Sequence, residues 1–178
     1  DTKAEFGASA PAFYGVYRAD QTPLWEAMVM DPSGQAGGTA FDFIGGGKAQ
    51  AIYADEFTVW VFDENGTALM STPHLSGTVI EYPVVADIDN DGSAEIVLVS
   101  NNVLHGNTPV PFTAQAVKDI EDRWVQGRRI WNQHTYHVTN VREDGTIPQI
   151  EKPHWQLLNT FRTQAQIGSE GVCLPPPQ

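Results

Sequence analysis

The chain has 178 residues, of which 41% are hydrophobic and 18% charged, a composition that can bury a core and excludes a disordered tail. Its formal net charge of -12 and its pI near 4.6 argue against nucleic acid and anionic membrane surfaces as partners. No apolar run is long enough for a membrane span, and the single cysteine, Cys173, excludes an internal disulfide. Because Asp1 does not resemble a translation start, we expect a mature or excised product.

Three regions are predicted along the chain. Residues 1–14 form an N-terminal extension, in which Phe6 and Phe13 suit a strand donated to another chain. Residues 15–166 form a repetitive β-domain. Residues 167–178 contain three consecutive prolines and form a C-terminal tail.

A repeat with an offset of about 45 residues organises the β-domain. The segment around Asp42 aligns without gaps on the segment around Asp87, and the same offset places residues 16–25 on residues 61–70. A fixed period of about 40–50 residues, filled with short strands and turns, is typical of β-propeller blades.

Short strands and turns are predicted within the repeats. Residues 57–62 alternate as a half-buried strand, and residues 63–67 form a hairpin turn. A third unit begins near Tyr82 and is lengthened by a loop-like insertion at residues 101–111. Little of the chain is predicted to be helical.

An acidic loop lies between two strand-like runs, from Val85 to Val97. Four carboxylates in this loop can converge on one cation, namely those of Asp87, Asp89, Asp91 and Glu95. Calcium is coordinated by six to eight oxygens. The Ser93 carbonyl supplies a further oxygen, and Gly92 permits a sharp turn. An EF-hand would need a Glu where Leu98 lies, so this loop is predicted to join strands. The alternative is a solvated acidic turn.

The loop resembles the calcium loop of FG-GAP repeats in integrin alpha chains and their bacterial VCBS-type relatives. Its pattern, Asp-x-Asp-x-Asp-Gly-x-x-Glu, lies between the first two strands of a propeller blade in that family. The resemblance implies an all-β fold of blades, each a four-stranded antiparallel sheet, in a secreted, extracellular or cell-surface protein. Carried over by position, it implies five calcium ligands, namely Asp87, Asp89, Asp91, Ser93 through its main chain, and Glu95.

The earlier copy of this loop has lost most of its acidic residues. At the positions of Asp89, Asp91 and Glu95 it has Ile44, Gly46 and Gln50, and only Asp42 remains. We therefore expect one calcium site, with a Gly-rich turn kept in the earlier loop.

The C-terminal run from Ile130 to Val138 is similar to segments at the end of bacterial FG-GAP propellers. On a strand, His134 and His137 would point to opposite faces, which argues against zinc. The sequence contains no His-Glu-x-x-His, no Gly-x-Ser-x-Gly and no phosphate-binding glycine loop, so no enzymatic activity is predicted.

The length accommodates about three blades, whereas closed propellers typically have four to eight. We therefore expect an open set of blades or one completed by another chain. The expected partners are further copies, in a ring or filament, or the remainder of a larger parent protein.

Two functions remain open. The first is a non-enzymatic extracellular module for adhesion or self-assembly, with calcium fixing the loop. The second is a carbohydrate-binding or carbohydrate-active propeller, in which exposed indoles would stack on glycans; the candidates are Trp25, Trp60, Trp124, Trp131 and Trp155.

Overall fold

A computed structural model describes residues 3–156, 160–168 and 173–174. Within these residues the fold is all-β, as predicted, with three antiparallel sheets of three or four strands, one two-stranded sheet and no α-helix. The first sheet contains β1 (Glu5–Ala10), β2 (Phe13–Arg18) and β3 (Pro23–Met28). The second contains β4 (Gly38–Phe41), β5 (Gln50–Ala54), β6 (Thr58–Phe62) and β7 (Ala68–Pro73). The third contains β8 (Val84–Ala86), β9 (Glu95–Val99) and β10 (Ala114–Val117).

Each sheet follows the order of the chain, with strands ordered β1-β2-β3, β4-β5-β6-β7 and β8-β9-β10. Only the second sheet has the four strands predicted for each blade. Two short strands, β11 (Gln166–Ile167) and β12 (Cys173–Leu174), pair separately, and His154–Gln156 forms one turn of 3-10 helix. No helix among the described residues is long and apolar enough to cross a membrane.

The strands recur at the predicted offset. The starts of β1 and β5, at Glu5 and Gln50, lie about 45 residues apart, as do those of β5 and β9, at Gln50 and Glu95. The hairpin turns repeat as well, since the N–H of Arg18 donates to the Thr22 carbonyl and that of Asp63 to the Thr67 carbonyl, both at 2.9 Å. The β9–β10 connection contains the predicted insertion and is far longer than the β5–β6 connection.

The N-terminal segment forms a regular strand. Within this single chain, β1 pairs with β2, with Glu5 opposite Arg18 and Ala10 opposite Phe13. Donation of this segment to another chain stays a prediction. The proposed boundary after Tyr14 falls inside β2. The physical reason is the repeat itself, because the offset that aligns β2 with β6 also places β1 on β5, an inner strand of the second sheet.

The described residues form two compact units, each assembled from separate segments. The first unit takes residues from 1–39, 50–83 and 97–116, and the second from 40–49, 84–96 and 117–178. The second unit therefore contains the acidic loop, its earlier copy and the C-terminal region.

Aromatic packing forms the core of the first unit. The rings of Tyr14 and Tyr53 stack at 4.3 Å, and Phe62 packs against Trp25 at 5.5 Å. Tyr14, Tyr53 and Phe62 are buried, so these alternating strand positions supply the apolar area that holds the sheets together.

The core of the second unit combines aromatic rings with one buried cation. Phe43 packs on Trp124 at 4.3 Å and on Phe41 at 5.0 Å. The Arg128 side chain is almost fully buried and donates to the carbonyls of Val138 and Val141, each at 2.9 Å. These bonds fix the otherwise irregular C-terminal region.

Candidate metal site

The acidic loop occupies the predicted position between two strands. It starts after β8, which ends at Ala86, and closes at Glu95, the first residue of β9. Within it, Asn90 and Gly92 adopt positive φ angles of 63° and 92°. This left-handed backbone reverses the chain sharply and is readily accessible to glycine and asparagine.

Three of the five predicted ligands converge. Carboxylate oxygens of Asp87, Asp89 and Glu95 all lie within 4.8 Å of one another. The residues Asp87 and Glu95 are 0% and 2% exposed, whereas Asp89 is exposed. A cation could therefore reach two buried carboxylates from the side on which Asp89 meets solvent.

The two buried carboxylates each keep one free oxygen. Asp87 Oδ2 accepts a hydrogen bond from Gln126 Nε2 at 2.9 Å, and Glu95 Oε2 accepts one from the Ile88 N–H at 2.9 Å. In contrast, Asp87 Oδ1 and Glu95 Oε1 are buried and have no hydrogen-bond partner. A buried carboxylate oxygen without a donor is unfavourable, and a bound cation would satisfy both atoms.

The electrostatics of the cluster also favour a bound positive charge. The pKa of Glu95 is raised, first by burial and then by the negative charges of Asp89, Asp91 and Asp87. Without a cation, this environment disfavours the ionised form of Glu95. A divalent ion reverses that effect, because it supplies the opposite charge to a set of hard oxygen donors of the kind that Ca²⁺ prefers. The residues present therefore fit a hard divalent cation.

The Asp91 carboxylate pairs with Lys118 and not with the other three carboxylates. Its Oδ2 lies 2.9 Å from the Nζ of Lys118, and its Oδ1 accepts the Ser93 N–H at 2.8 Å. Asp91 is absent from the converging group of three carboxylates. The coordinating roles predicted for Asp91 and for the Ser93 carbonyl remain predictions, although Ser93 is buried within the same loop.

The sequence did not predict the residues outside the acidic loop that form hydrogen bonds and an ion pair with it. Lys118, Gln126 and Arg128 follow β10, and the Arg128 carbonyl accepts the Asp87 N–H at 3.3 Å. Their contacts with the loop span some 27 to 41 residues, and no local spacing in the sequence signals them.

The earlier loop keeps the Gly-rich turn, and backbone N–H groups of this loop donate hydrogen bonds to the Asp42 carboxylate. Asp42 Oδ1 accepts the Gly46 N–H at 3.1 Å, and Asp42 Oδ2 accepts the Gly47 N–H at 2.6 Å. The second of these bonds matches the bond from the Gly92 N–H to Asp87 Oδ2 at 3.3 Å. Asp42 belongs to no group of three potential ligands in the described part of the chain. That this loop binds no ion remains a prediction.

The histidine segment differs from its prediction. Residues 130–148 lie in turns and loops and not on a regular strand, so the argument from opposite strand faces does not apply. His137 stacks on His154 at 4.1 Å and is hydrogen-bonded through Nε2 to Glu151 Oε1. His137 and His134 are outside the one group of potential metal ligands found among the described residues.

The five tryptophans have different environments. Trp25 and Trp60 pack against the core of the first unit. Trp124 contacts Phe43, and Trp131 stacks on Tyr136 at 4.5 Å. Trp155, in contrast, is 73% exposed. Of the candidate glycan-stacking rings, Trp155 is therefore the one most open to solvent.

Comparisons with known proteins support the fold. No family model matches the chain, and no curated protein matches it. Among solved structures, the chain is similar to the V. cholerae biofilm matrix protein Bap1, with a TM-score of 0.77 and 24% sequence identity. The match covers 96% of this chain and 27% of that protein, so the chain spans about a quarter of its length. The chain therefore has a β-fold that is also found within a much larger protein.

Proposed function

We propose that this chain is a calcium-binding repeat module of the FG-GAP/VCBS type, part of a non-enzymatic extracellular protein for adhesion or self-assembly. The observation that carries the proposal is the convergence of Asp87, Asp89 and Glu95 with two buried, unpartnered oxygens. The strand–loop–strand setting and the repeat at an offset of about 45 residues support the assignment to this family.

Calcium would be held mainly by carboxylates. Asp87 and Glu95 supply the buried oxygens, and Asp89 closes the exposed side. Asp91 and the Ser93 carbonyl complete the proposed ligand set. The bound ion would neutralise the mutual repulsion of the acids and fix the β8–β9 loop.

The proposed setting in adhesion or assembly rests on the structural neighbour. Bap1 is a biofilm matrix protein, and this fold makes up about a quarter of it. An extracellular module of this kind would work with the remainder of a parent protein or with further copies of itself. The net charge of -12 is in keeping with a role that depends on cations.

Calcium titration of the purified chain by calorimetry should show one site. Extracellular modules bind calcium with dissociation constants of about 0.1–1 mM, and we expect a value in that range. Asp89→Ala should abolish binding, because it removes one of three converging carboxylates from an exposed position where the fold tolerates the change.

Two control variants define this experiment. Asp144→Ala removes an exposed turn carboxylate outside the cluster, and Asp42→Ala removes the remaining acid of the earlier loop. Both should bind calcium like the parent chain. Two equal sites, or unchanged binding by Asp89→Ala, would contradict the proposal.

A carbohydrate-binding role is the second candidate, and the exposure of Trp155 favours it. The indole packs edge-on against His154 at 5.5 Å, and Phe161, 55% exposed, lies 6.5 Å from the same imidazole. Open aromatic faces of this kind can stack on sugar rings, and the Glu151 carboxylate nearby could accept hydrogen bonds from hydroxyl groups.

Light scattering and glycan binding separate the two candidates. If the chain serves in assembly, its mass in calcium-containing buffer should rise with concentration above the 19.5 kDa of a single copy. The second candidate would be favoured if the chain is a monomer at every concentration and binds glycans. Trp155→Ala should then abolish glycan binding, and Trp124→Ala should not.

A further inference from the structure

We propose that Lys118 is a built-in competitor of the divalent cation and sets the affinity of the acidic loop. The proposal rests on the function proposed above for the same site. Lys118 directly follows β10, and its ammonium faces the exposed side of the carboxylate cluster.

Three carboxylates surround this ammonium. Lys118 Nζ lies 2.9 Å from Asp91 Oδ2, 3.7 Å from Asp89 Oδ2 and 2.9 Å from Asp122 Oδ1. Two of these groups, Asp89 and Asp91, are proposed calcium ligands. The third, Asp122, lies outside the loop and offers Lys118 a partner that it can keep when the other two turn to the ion.

The competition has two physical components. Asp91 Oδ2 cannot coordinate an ion fully while it accepts a hydrogen bond from the ammonium, so this bond has to be broken or weakened. In addition, a positive charge that lies 2.9 and 3.7 Å from oxygens of two proposed ligands opposes the binding of a divalent ion between them, even in a water-like dielectric. Because Lys118 is partly exposed, with 40% of its side chain accessible, salt screens part of this repulsion.

The same contacts give Lys118 a second effect, which is to hold the loop when no ion is bound. The ammonium neutralises part of the negative charge that would otherwise spread the loop. Removal of this charge should therefore change two measurable quantities in opposite directions, by increasing the affinity for calcium and by decreasing the stability of the calcium-free protein.

The test uses Lys118→Met in the full chain, which keeps the length of the side chain and removes its charge. Calcium calorimetry at low ionic strength should give a dissociation constant about tenfold lower than that of the parent chain. In excess chelator the melting temperature should be lower than that of the parent chain. Lys118→Arg keeps the charge and should stay close to the parent in both measurements.

Lys152→Met is the matched control, because it removes an exposed lysine outside the loop. It should change the calcium affinity less than twofold. If the parent chain binds calcium and Lys118→Met binds it equally or more weakly, the proposed role of Lys118 as a competitor is wrong, while the proposed function stands. If neither protein binds calcium, both proposals are overturned.

Discussion

Arg128→Ala is expected to lower the free energy of unfolding by about 3–5 kcal/mol, the typical result of breaking a buried charged network. The residue is 1% exposed, and its guanidinium donates to the Val138 and Val141 carbonyls and, at 3.0 Å, to the Tyr136 hydroxyl. Alanine would leave these acceptors buried without donors and would open a cavity.

Urea denaturation followed by tryptophan fluorescence measures this loss. Arg123→Ala provides the control, because the Arg123 guanidinium is open to solvent, with 66% of the side chain exposed, although one of its two ion-pair partners, Asp119, is only 11% exposed. Ion pairs formed by a solvent-exposed guanidinium contribute little to stability, because water and salt screen them. Equal losses for the two variants would contradict a structural role for the buried guanidinium.

Asp55→Ala is expected to destabilise the first unit by about 3–4 kcal/mol, through the loss of several charge-assisted hydrogen bonds. The residue is fully buried and accepts from the N–H groups of Met30, Phe57 and Thr58 and from the Trp60 indole, at distances of 2.9, 2.8, 2.7 and 2.8 Å. Alanine removes all four acceptor contacts at once.

Thermal unfolding and near-ultraviolet circular dichroism test this second prediction, since the Trp60 indole loses its partner. Asp63→Ala is the control, because Asp63 Oδ1 also accepts two backbone N–H groups, from Asn65 and Thr67, but in an exposed turn where water can replace it. We therefore expect Asp63→Ala to lower the melting temperature only slightly. A drop for Asp55→Ala no larger than this would contradict the prediction.

The repetitive β-fold was predictable because its signals are local. Alternation around Trp60 and the turn residues after Asp63 are read within a few residues, and the offset between Asp42 and Asp87 is a repetition of these local patterns. The same holds for the position of the acidic loop between two strands, and for the grouping of Asp87, Asp89 and Glu95.

Features decided by distant residues were not predictable in this way. The orientation of Asp91 depends on Lys118, 27 residues further along the chain. The buried Arg128 draws its acceptors from irregular segments that show no hydrophobic periodicity. The predicted boundary after Tyr14 falls inside β2 for a different reason, because the repeat was not extended back to β1, which the same offset places on β5.

The repeat-related turns at Asp42 and Asp87 have similar backbone hydrogen bonds but different charges. In both turns, glycine N–H groups donate hydrogen bonds to the aspartate carboxylate. The Asp42 loop has neutral residues at the positions of the other acids, whereas the Asp87 loop carries several negative charges close together. If the Asp87 loop binds calcium as proposed, depletion of calcium should loosen this turn and leave the turn at Asp42 intact. If such modules also assemble as proposed, the calcium concentration would control the mechanical stiffness of the assembly at the Asp87 turn of each copy.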